Sequence, residues 1–223
     1  MNKALQPQLP TRVWRFMRRY PVLPGFIITL LVVMGLFATQ ISPQDPLDST
    51  ISDTGAPPVW LSGGSWHHIL GADHIGRDLL SRIIHGTRIS LMVATMVLTT
   101  GMLVGVTLGI VAGYKGGIWD EIIMRLVDMT YAIPFILVAL VAAVIFGASL
   151  GLVLILLAVF AWPPFARQTR GLTLLLKNAE YVWSAKISGA SPLRIGVRHI
   201  LPGVINIVVV LATLQVGGLI LTE

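Results

Sequence analysis

The chain has 223 residues, of which 55% are apolar and only 12% carry a charge, and its mean hydropathy is +0.81. Soluble domains usually carry about a quarter charged residues, so this composition predicts a protein whose solvent is lipid. The net charge is +6, but the basic residues are scattered between apolar runs without an aromatic-interleaved stripe, which excludes nucleic acid as an expected partner. Cysteine is absent, which excludes disulfides and thiolate metal sites.

Five apolar stretches reach or approach the roughly 20 residues that a membrane-spanning helix needs. They cover residues 25–41, 89–113, 126–146, 148–161 and 204–221, and the fourth is short unless it continues through the Trp-Pro-Pro run at 162–164. Four more spans follow the first, which favours an uncleaved anchor over a signal peptide. Backbone amides in hydrocarbon must be paired within the segment, so the predicted fold class is an all-α polytopic membrane protein.

The distribution of Lys and Arg predicts the orientation of these spans. The N-terminal segment, the loop after the second span and the loop at 166–202 together hold thirteen Lys and Arg residues. The loop at 42–88 holds three. Cytoplasmic loops carry the excess of Lys and Arg, so we expect a multi-pass protein of the plasma (inner) membrane. Its predicted segments are a cytoplasmic N-terminal segment (1–24), a first anchor (25–41), a periplasmic or extracellular loop (42–88) and a core (89–223) with a cytoplasmic loop at 166–202.

The periplasmic or extracellular loop (42–88) contains imidazoles and carboxylates, which are potential ligands for zinc, copper or nickel. These side chains are His67, His68, Asp73, His74, Asp78 and His85. Their spacings favour a solvated polar loop, so no metal site is assigned. Residues 75–89 alternate apolar and polar positions at helical spacing, which predicts an amphipathic interfacial helix that leads into the second span.

Three features inside the spans carry structural expectations. Pro134 is expected to kink the third span, because proline removes a backbone hydrogen bond. Gly101, Gly105 and Gly109 recur every four residues, which predicts close packing of another helix on that face of the second span. Asp128 is expected at the membrane boundary, because a charge at the bilayer centre costs about 2.5–3.5 kcal/mol.

The loop at 166–202 carries helix signals. Residues 180–188 read as a short helix, with Glu180 at the end where the helix dipole favours an acid. Gly189 suits the left-handed conformation that ends a helix, and Ser191 and Pro192 are typical of the cap and first position of the next. The second helix is expected to place Leu193, Val197, Ile200 and Leu201 on one face and Arg194 and Arg198 on the other, and to end at Pro202.

The stretch from Tyr181 to Pro202 resembles the EAA loop of ATP-binding-cassette (ABC) importer permeases: Glu-Ala-Ala, three residues, Gly, nine residues, an apolar position, one residue, then Leu-Pro. Gly189, Leu201 and Pro202 match at the required spacing. Trp183 and Ser184 replace the usual Glu and first Ala, and His199 takes the apolar slot. By this resemblance the ATPase-coupling residues are Glu180, Trp183, Ser184, Ala185, Gly189, Ala190, Ser191, Pro192, Arg194, His199, Leu201 and Pro202.

Further segments resemble the dipeptide, oligopeptide and nickel permease family, in the order in which that family has them. They are 70–82 (LGADHIGRDLLSR), 112–117 (AGYKGG), 124–128 (MRLVD) and 133–134 (IP). The resemblance covers residues from about 15 to the end. In that family a sixth span follows the fifth, so we expect six spans in the intact protein and one C-terminal transmembrane helix fewer in this chain.

The resemblance implies the transmembrane domain of a type I ABC importer, with a permease core at 89–223. The implied partners are a second homologous permease, two ATP-binding subunits and an extracytoplasmic solute-binding protein, within membrane lipid. The implied substrates are dipeptides, oligopeptides, nickel or a metallophore. No phosphate-binding loop is present, so no enzymatic activity and no cofactor are expected, with ATP bound by the partner subunits. The alternatives are a self-contained secondary transporter or channel subunit and, less favoured, a membrane-embedded enzyme.

The charge asymmetry predicts which loops an impermeant reagent can reach. A single cysteine at Ser62 should react with an impermeant thiol reagent in intact cells, whereas one at Ser191 should react only after lysis. The chain has no cysteine of its own, so each label reports one site. The reverse pattern of labelling would overturn the predicted topology.

Overall fold

A computed structural model describes residues 22–222, with side chains described as far as residue 218. The predicted cytoplasmic segment lies outside the described residues except for 22–24, as does Glu223. The helices are α1 (Val22–Leu36), α2 (Ala38–Ile41), α3 (Leu79–Lys115), α4 (Gly117–Ala132), α5 (Phe135–Phe146), α6 (Leu150–Leu176), α7 (Glu180–Ile187), α8 (Pro192–Ile195) and α9 (Leu201–Thr222), with a 3-10 turn at Ile51–Asp53 and a π-helical segment at Gly196–Ile200. No strand occurs in this described part, so the predicted all-α fold is confirmed.

Three of the predicted spans correspond to single long apolar helices among the described residues. These are α3, α6 and the continuous helix at Pro192–Gly218. The fourth predicted span does continue through Pro163 and Pro164, as far as Leu176. The first corresponds to α1, which at 15 residues is shorter than the usual span of about 17–25, followed after Phe37 by α2.

The third predicted span is broken rather than merely kinked. α4 ends at Ala132, α5 begins at Phe135, and the two helices are bent by 76°. Ile133 and Pro134 both have extended backbone angles. Proline disfavours the helical conformation in the residue before it and lacks the N–H that would continue the ladder, so the break falls at the predicted place.

The described residues divide into two compact units, 22–91 and 92–222, and the boundary falls within α3. At 37 residues, α3 is about 55 Å long, which exceeds the roughly 30 Å of a hydrocarbon core. It begins at Leu79 and not at Ile75, because the side chain of Asp78 accepts the backbone N–H of Ser81 and so caps the first turn. The predicted interfacial helix is therefore not a separate element but the first turns of α3.

In the second unit, α3 and α6 lie in direct backbone contact. A Cβ at Gly101 would lie 2.8 Å from that of Ala161, and one at Gly105 would lie 2.4 Å from the carbonyl oxygen of Trp162. Gly109 and Gly113 continue the stripe against Thr169 and Thr173. The predicted close packing on this glycine face is confirmed and extends one glycine further. Such small-residue faces let helices approach where lipid supplies no hydrophobic drive.

Substitution of the glycine face should destabilise the protein. Gly105→Ala places a methyl group against backbone atoms that cannot move independently, so we expect a loss of about 1–3 kcal/mol in the free energy of unfolding. Gly171→Ala in α6 is the matched control, because nothing lies within 4 Å of its added Cβ. Thermal unfolding of both variants in detergent measures the difference. Equal melting temperatures for the two variants would contradict the proposed contact.

Candidate functional site

The candidate site is the two-helix segment, residues 180–202, built from α7, a glycine turn, α8 and the π-helical segment. α7 spans Glu180–Ile187, so it begins at the predicted residue and ends one residue before the predicted end. Gly189 follows with a φ of +80°, the left-handed conformation expected there. The side chain of Ser191 accepts the backbone N–H of Arg194 at 3.4 Å, and Pro192 occupies the first turn of α8. The predicted helix–glycine–helix arrangement is therefore present.

Two expectations for the second helix of this segment are wrong. It does not end at Pro202 but continues through Gly196–Ile200 into α9. The π turn directly before Pro202 widens the helix, which accommodates a residue without an N–H. The same turn shifts the register of the faces, so Leu193 and Val197 are exposed whereas Ile195 and Ile200 are buried.

The two-helix segment is anchored in the hydrophobic core of the second unit. Val182 of α7, Ile195 of α8 and Ile200 of the π-helical segment are buried in one cluster with Phe165 of α6 and Val204 of α9. These positions come from elements far apart in sequence. A displacement of the two-helix segment must therefore move α6 and α9 or break this cluster, because packed cores deform little.

The predicted coupling residues divide into an outer and an inner set. Ala185, Ala190 and Leu201 are half-buried against the core cluster, and His199 is also half-buried. The exposed members are Glu180, Trp183, Ser184, Gly189, Ser191, Pro192, Arg194 and Pro202. The outer set is therefore accessible to a partner, and the inner set packs toward the core of the second unit.

Two lysines tie the segment 177–186 to the end of α3. Nζ of Lys177 donates to the carbonyl oxygen of Gly113 at 2.9 Å. Nζ of Lys186 lies 4.7 Å from the ring centroid of Trp183 and 5.5 Å from that of Tyr114. Cation–π contacts of this length are attractive by about 0.5–1 kcal/mol at exposed sites. Trp183 stands where the EAA loop usually has Glu. It therefore contacts a cation, Lys186, that bridges α7 and α3.

Ion pairs join α4 to α6 near the same end of the unit. Arg170 donates to both carboxylate oxygens of Asp120, at 2.5 and 2.6 Å. Arg167 pairs with Asp128 and lies 4.9 Å from the ring centroid of Tyr131. The sequence predicted that Asp128 lies at the membrane boundary, but it indicated no partner for this carboxylate. Neither pair was predicted, because each partner is 39 or 50 residues away along the chain.

The first unit contains a second polar cluster, built around His68. Its ring nitrogens face carboxylate oxygens of Asp78 and Asp53, each at 3.2 Å. The prediction of a solvated loop is wrong here, because His68 and Asp78 are only 3% and 1% exposed. Ser81 completes the cluster by donating its hydroxyl to Asp78 at 2.6 Å. Within the described residues, no three His, Asp or Glu side chains converge as a metal site would require.

Two carboxylates of this unit have depressed pKa values. The hydrogen bond from His68 is the main influence that lowers the pKa of Asp53. Burial alone would raise the pKa of Asp73, but the backbone N–H groups of Arg77 and Ile75 and the guanidinium of Arg77 outweigh it and lower the value. At pH values above the unfolded pKa, near 3.8, both ionised carboxylates therefore stabilise the folded loop. This contribution is lost as the pH falls through their pKa values in the folded state.

Comparisons with known proteins agree with this architecture. Residues 105–223 match the family described as binding-protein-dependent transport system inner membrane component. The chain is 37% identical over 211 residues to the glutathione transport system permease protein GsiD of Escherichia coli O6:K15:H31, covering 94% of this chain and 68% of the relative. The proteins of the same name from Shigella boydii serotype 4 and Shigella flexneri serotype 5b are 37% and 38% identical over the same shares.

The strength of the Asp120–Arg170 ion pair between α4 and α6 can be measured by a double-mutant cycle. Asp120→Asn and Arg170→Gln, alone and together, should give a coupling energy within the roughly 0.5–3 kcal/mol seen for residues in contact, because the pair is bidentate and partly buried. The same cycle on Glu121 and Arg125 is the control, since that pair is largely exposed and should couple by only about 0.3–0.5 kcal/mol. Chemical denaturation in detergent gives both values, and equal coupling would contradict this ranking.

Proposed function

Since the chain belongs to the family of binding-protein-dependent transport system inner membrane components and is thus an ABC importer permease subunit, we propose that it imports short peptides. It forms the pathway together with a second, homologous permease, and two ATP-binding subunits dock on the two-helix segment. An extracytoplasmic binding protein delivers the substrate. Family membership removes the support for a self-contained secondary transporter or channel.

The observation that carries the docking proposal is the exposure of large apolar side chains on the two-helix segment. Ile187, Leu193 and Trp183 are 85%, 77% and 52% exposed. Buried aromatic and aliphatic anchors dominate the energetics of protein interfaces, so these side chains are suited to fill pockets on an ATPase. Exposed Arg194 adds a cation beside them, which suits an acidic partner surface.

The core anchors of the same segment supply the route by which ATP-driven motion reaches the membrane. Val182, Ile195 and Ile200 are held between α6 and α9, and Lys186 connects α7 to Tyr114 at the end of α3. A push on the exposed side chains would therefore reorient three spanning helices together. This is the rigid-body movement that alternating access requires.

Short peptides are the substrate class that the relatives support. The relatives' printed name gives glutathione, a small peptide, as the transported compound. One cavity of about 270 Å³ in the second unit is lined by apolar side chains and by Gln215, whose amide can accept and donate hydrogen bonds as a peptide group does. Nickel or a metallophore, the other expectation from sequence, has no observation in its favour among the described residues.

Gly189 provides the sharpest test of docking. Gly189→Asp forces a side chain into a left-handed conformation, at a cost of about 1 kcal/mol or more, and adds a charge at the proposed interface. We expect membrane insertion to be retained, ATPase association to weaken and uptake to be lost. Gly189→Ala should do less, because its methyl group meets nothing within 4 Å.

Gly147→Asp is the matched control for this experiment. Gly147 also has a positive φ, +81°, and open space around its Cβ, but it lies in the turn between α5 and α6. Gly147→Asp should leave ATPase association unchanged.

Trp183→Ala, like Gly189→Asp, should lower ATPase association, because it removes both an exposed anchor and the partner of Lys186. Co-purification of the ATPases measures all four variants, and wild-type association of Gly189→Asp would refute the docking proposal.

A further inference from the structure

An apolar groove of about 450 Å³ lies on the second unit, between the last turns of α3 and the helix that begins at Pro192. Val106, Ile110 and Val111 line one wall, and Leu193 and Val197 line the other. This lateral groove extends along α3 from Val106 to Lys115, a distance of about 14 Å. It is therefore elongated along the last turns of α3.

One end of the lateral groove is basic. Lys115, the last residue of α3, lines it, and Lys186 lies above the ring of Tyr114, which also lines it. No Asp or Glu belongs to the described lining. The groove thus presents an apolar body with a cationic end, and this end is the last turn of a spanning helix, where the chain leaves the hydrocarbon.

The basic residues beside this groove differ from the three arginines of α4 and α6. Arg125, Arg167 and Arg170 each pair with a carboxylate. Lys115 has no carboxylate partner in the described part of the chain, although its ammonium lies 4.8 Å from the ring centroid of Trp119. Arg194 and Arg198, which directly follow the lining residues Leu193 and Val197, are exposed and also have no acidic partner among the residues described.

We propose that the lateral groove binds one anionic phospholipid, with an acyl chain along the apolar walls and the phosphate at Lys115. Unpaired cations at the end of an apolar groove complement an amphiphile that carries a negative headgroup. Basic pockets between spanning helices recognise anionic headgroups in this way, and each Lys near a membrane surface contributes about fivefold in affinity. Trp119, which is exposed beside Lys115, is typical of the headgroup region.

Lipid retention by the purified full chain tests the proposal. Native mass spectrometry in detergent, with phosphatidylglycerol or phosphatidylcholine added, should show preferential binding of phosphatidylglycerol. Lys115→Gln should weaken phosphatidylglycerol binding about fivefold and phosphatidylcholine binding by less, because choline already offsets the phosphate charge, whereas Lys115→Arg should keep the preference. Val197→Trp should reduce binding of both lipids by filling the groove. Its site is exposed, so the folded chain can accommodate the larger ring.

Arg125→Gln is the charge-matched control, because Arg125 is exposed, lies in the same unit and pairs only with Glu121. It should leave phosphatidylglycerol binding unchanged. Equal affinity of the wild-type chain for the two lipids, or an equal loss in Lys115→Gln and Arg125→Gln, would overturn the proposal.

Photocrosslinking identifies the occupant in native membranes. A benzophenone side chain at Val197, which lines the groove, is exposed and is not one of the proposed docking anchors, should form a phospholipid adduct. An adduct to a second protein chain instead would assign the groove to a helix of a partner and would also overturn the lipid proposal.

Discussion

The close approach of α3 and α6 is the contact on which the rest of the second unit depends. Four glycines at intervals of four residues bring the α3 backbone against Ala161, Trp162, Thr169 and Thr173 of α6. In a membrane, helices gain little from burying apolar surface against each other, so dispersion contacts at short range must hold them. A methyl group on this face would separate the backbones and remove these contacts along both helices.

This contact sets the position of everything that α6 carries beyond it. Phe165 reaches the core cluster that anchors Val182, Ile195 and Ile200, and Arg170 reaches Asp120 on α4. Lys177, directly after the last turn of α6, reaches the carbonyl of Gly113 at the end of the glycine face itself. The two-helix segment is therefore both exposed to partners and fixed to three spanning helices, which is the combination that a coupling element needs.

The positive charges of the second unit serve two different purposes. Arg167 and Arg170 hold α6 to α4 through carboxylates, so they are not free to bind a partner. Lys115, Arg194 and Arg198 have no acid beside them within the described chain and face outward. A count of Lys and Arg predicts the orientation of the spans, but it does not separate these two groups. The separation follows from which acids the tertiary fold brings near.

The sequence by itself determined the helical class, most of the spans, the break at Pro134, the glycine face and the helix–glycine–helix pattern around Gly189. Each is set by composition or by residues within two or three helical turns, where helix geometry fixes which positions meet. Only the tertiary structure decided that the helix continues past Pro202, that Ile195 rather than Leu193 is buried, and that His68 lies between two carboxylates. A π turn changes the register by one residue, and the partners of His68, Asp120 and Lys186 come from distant positions, so no local periodicity could reveal them.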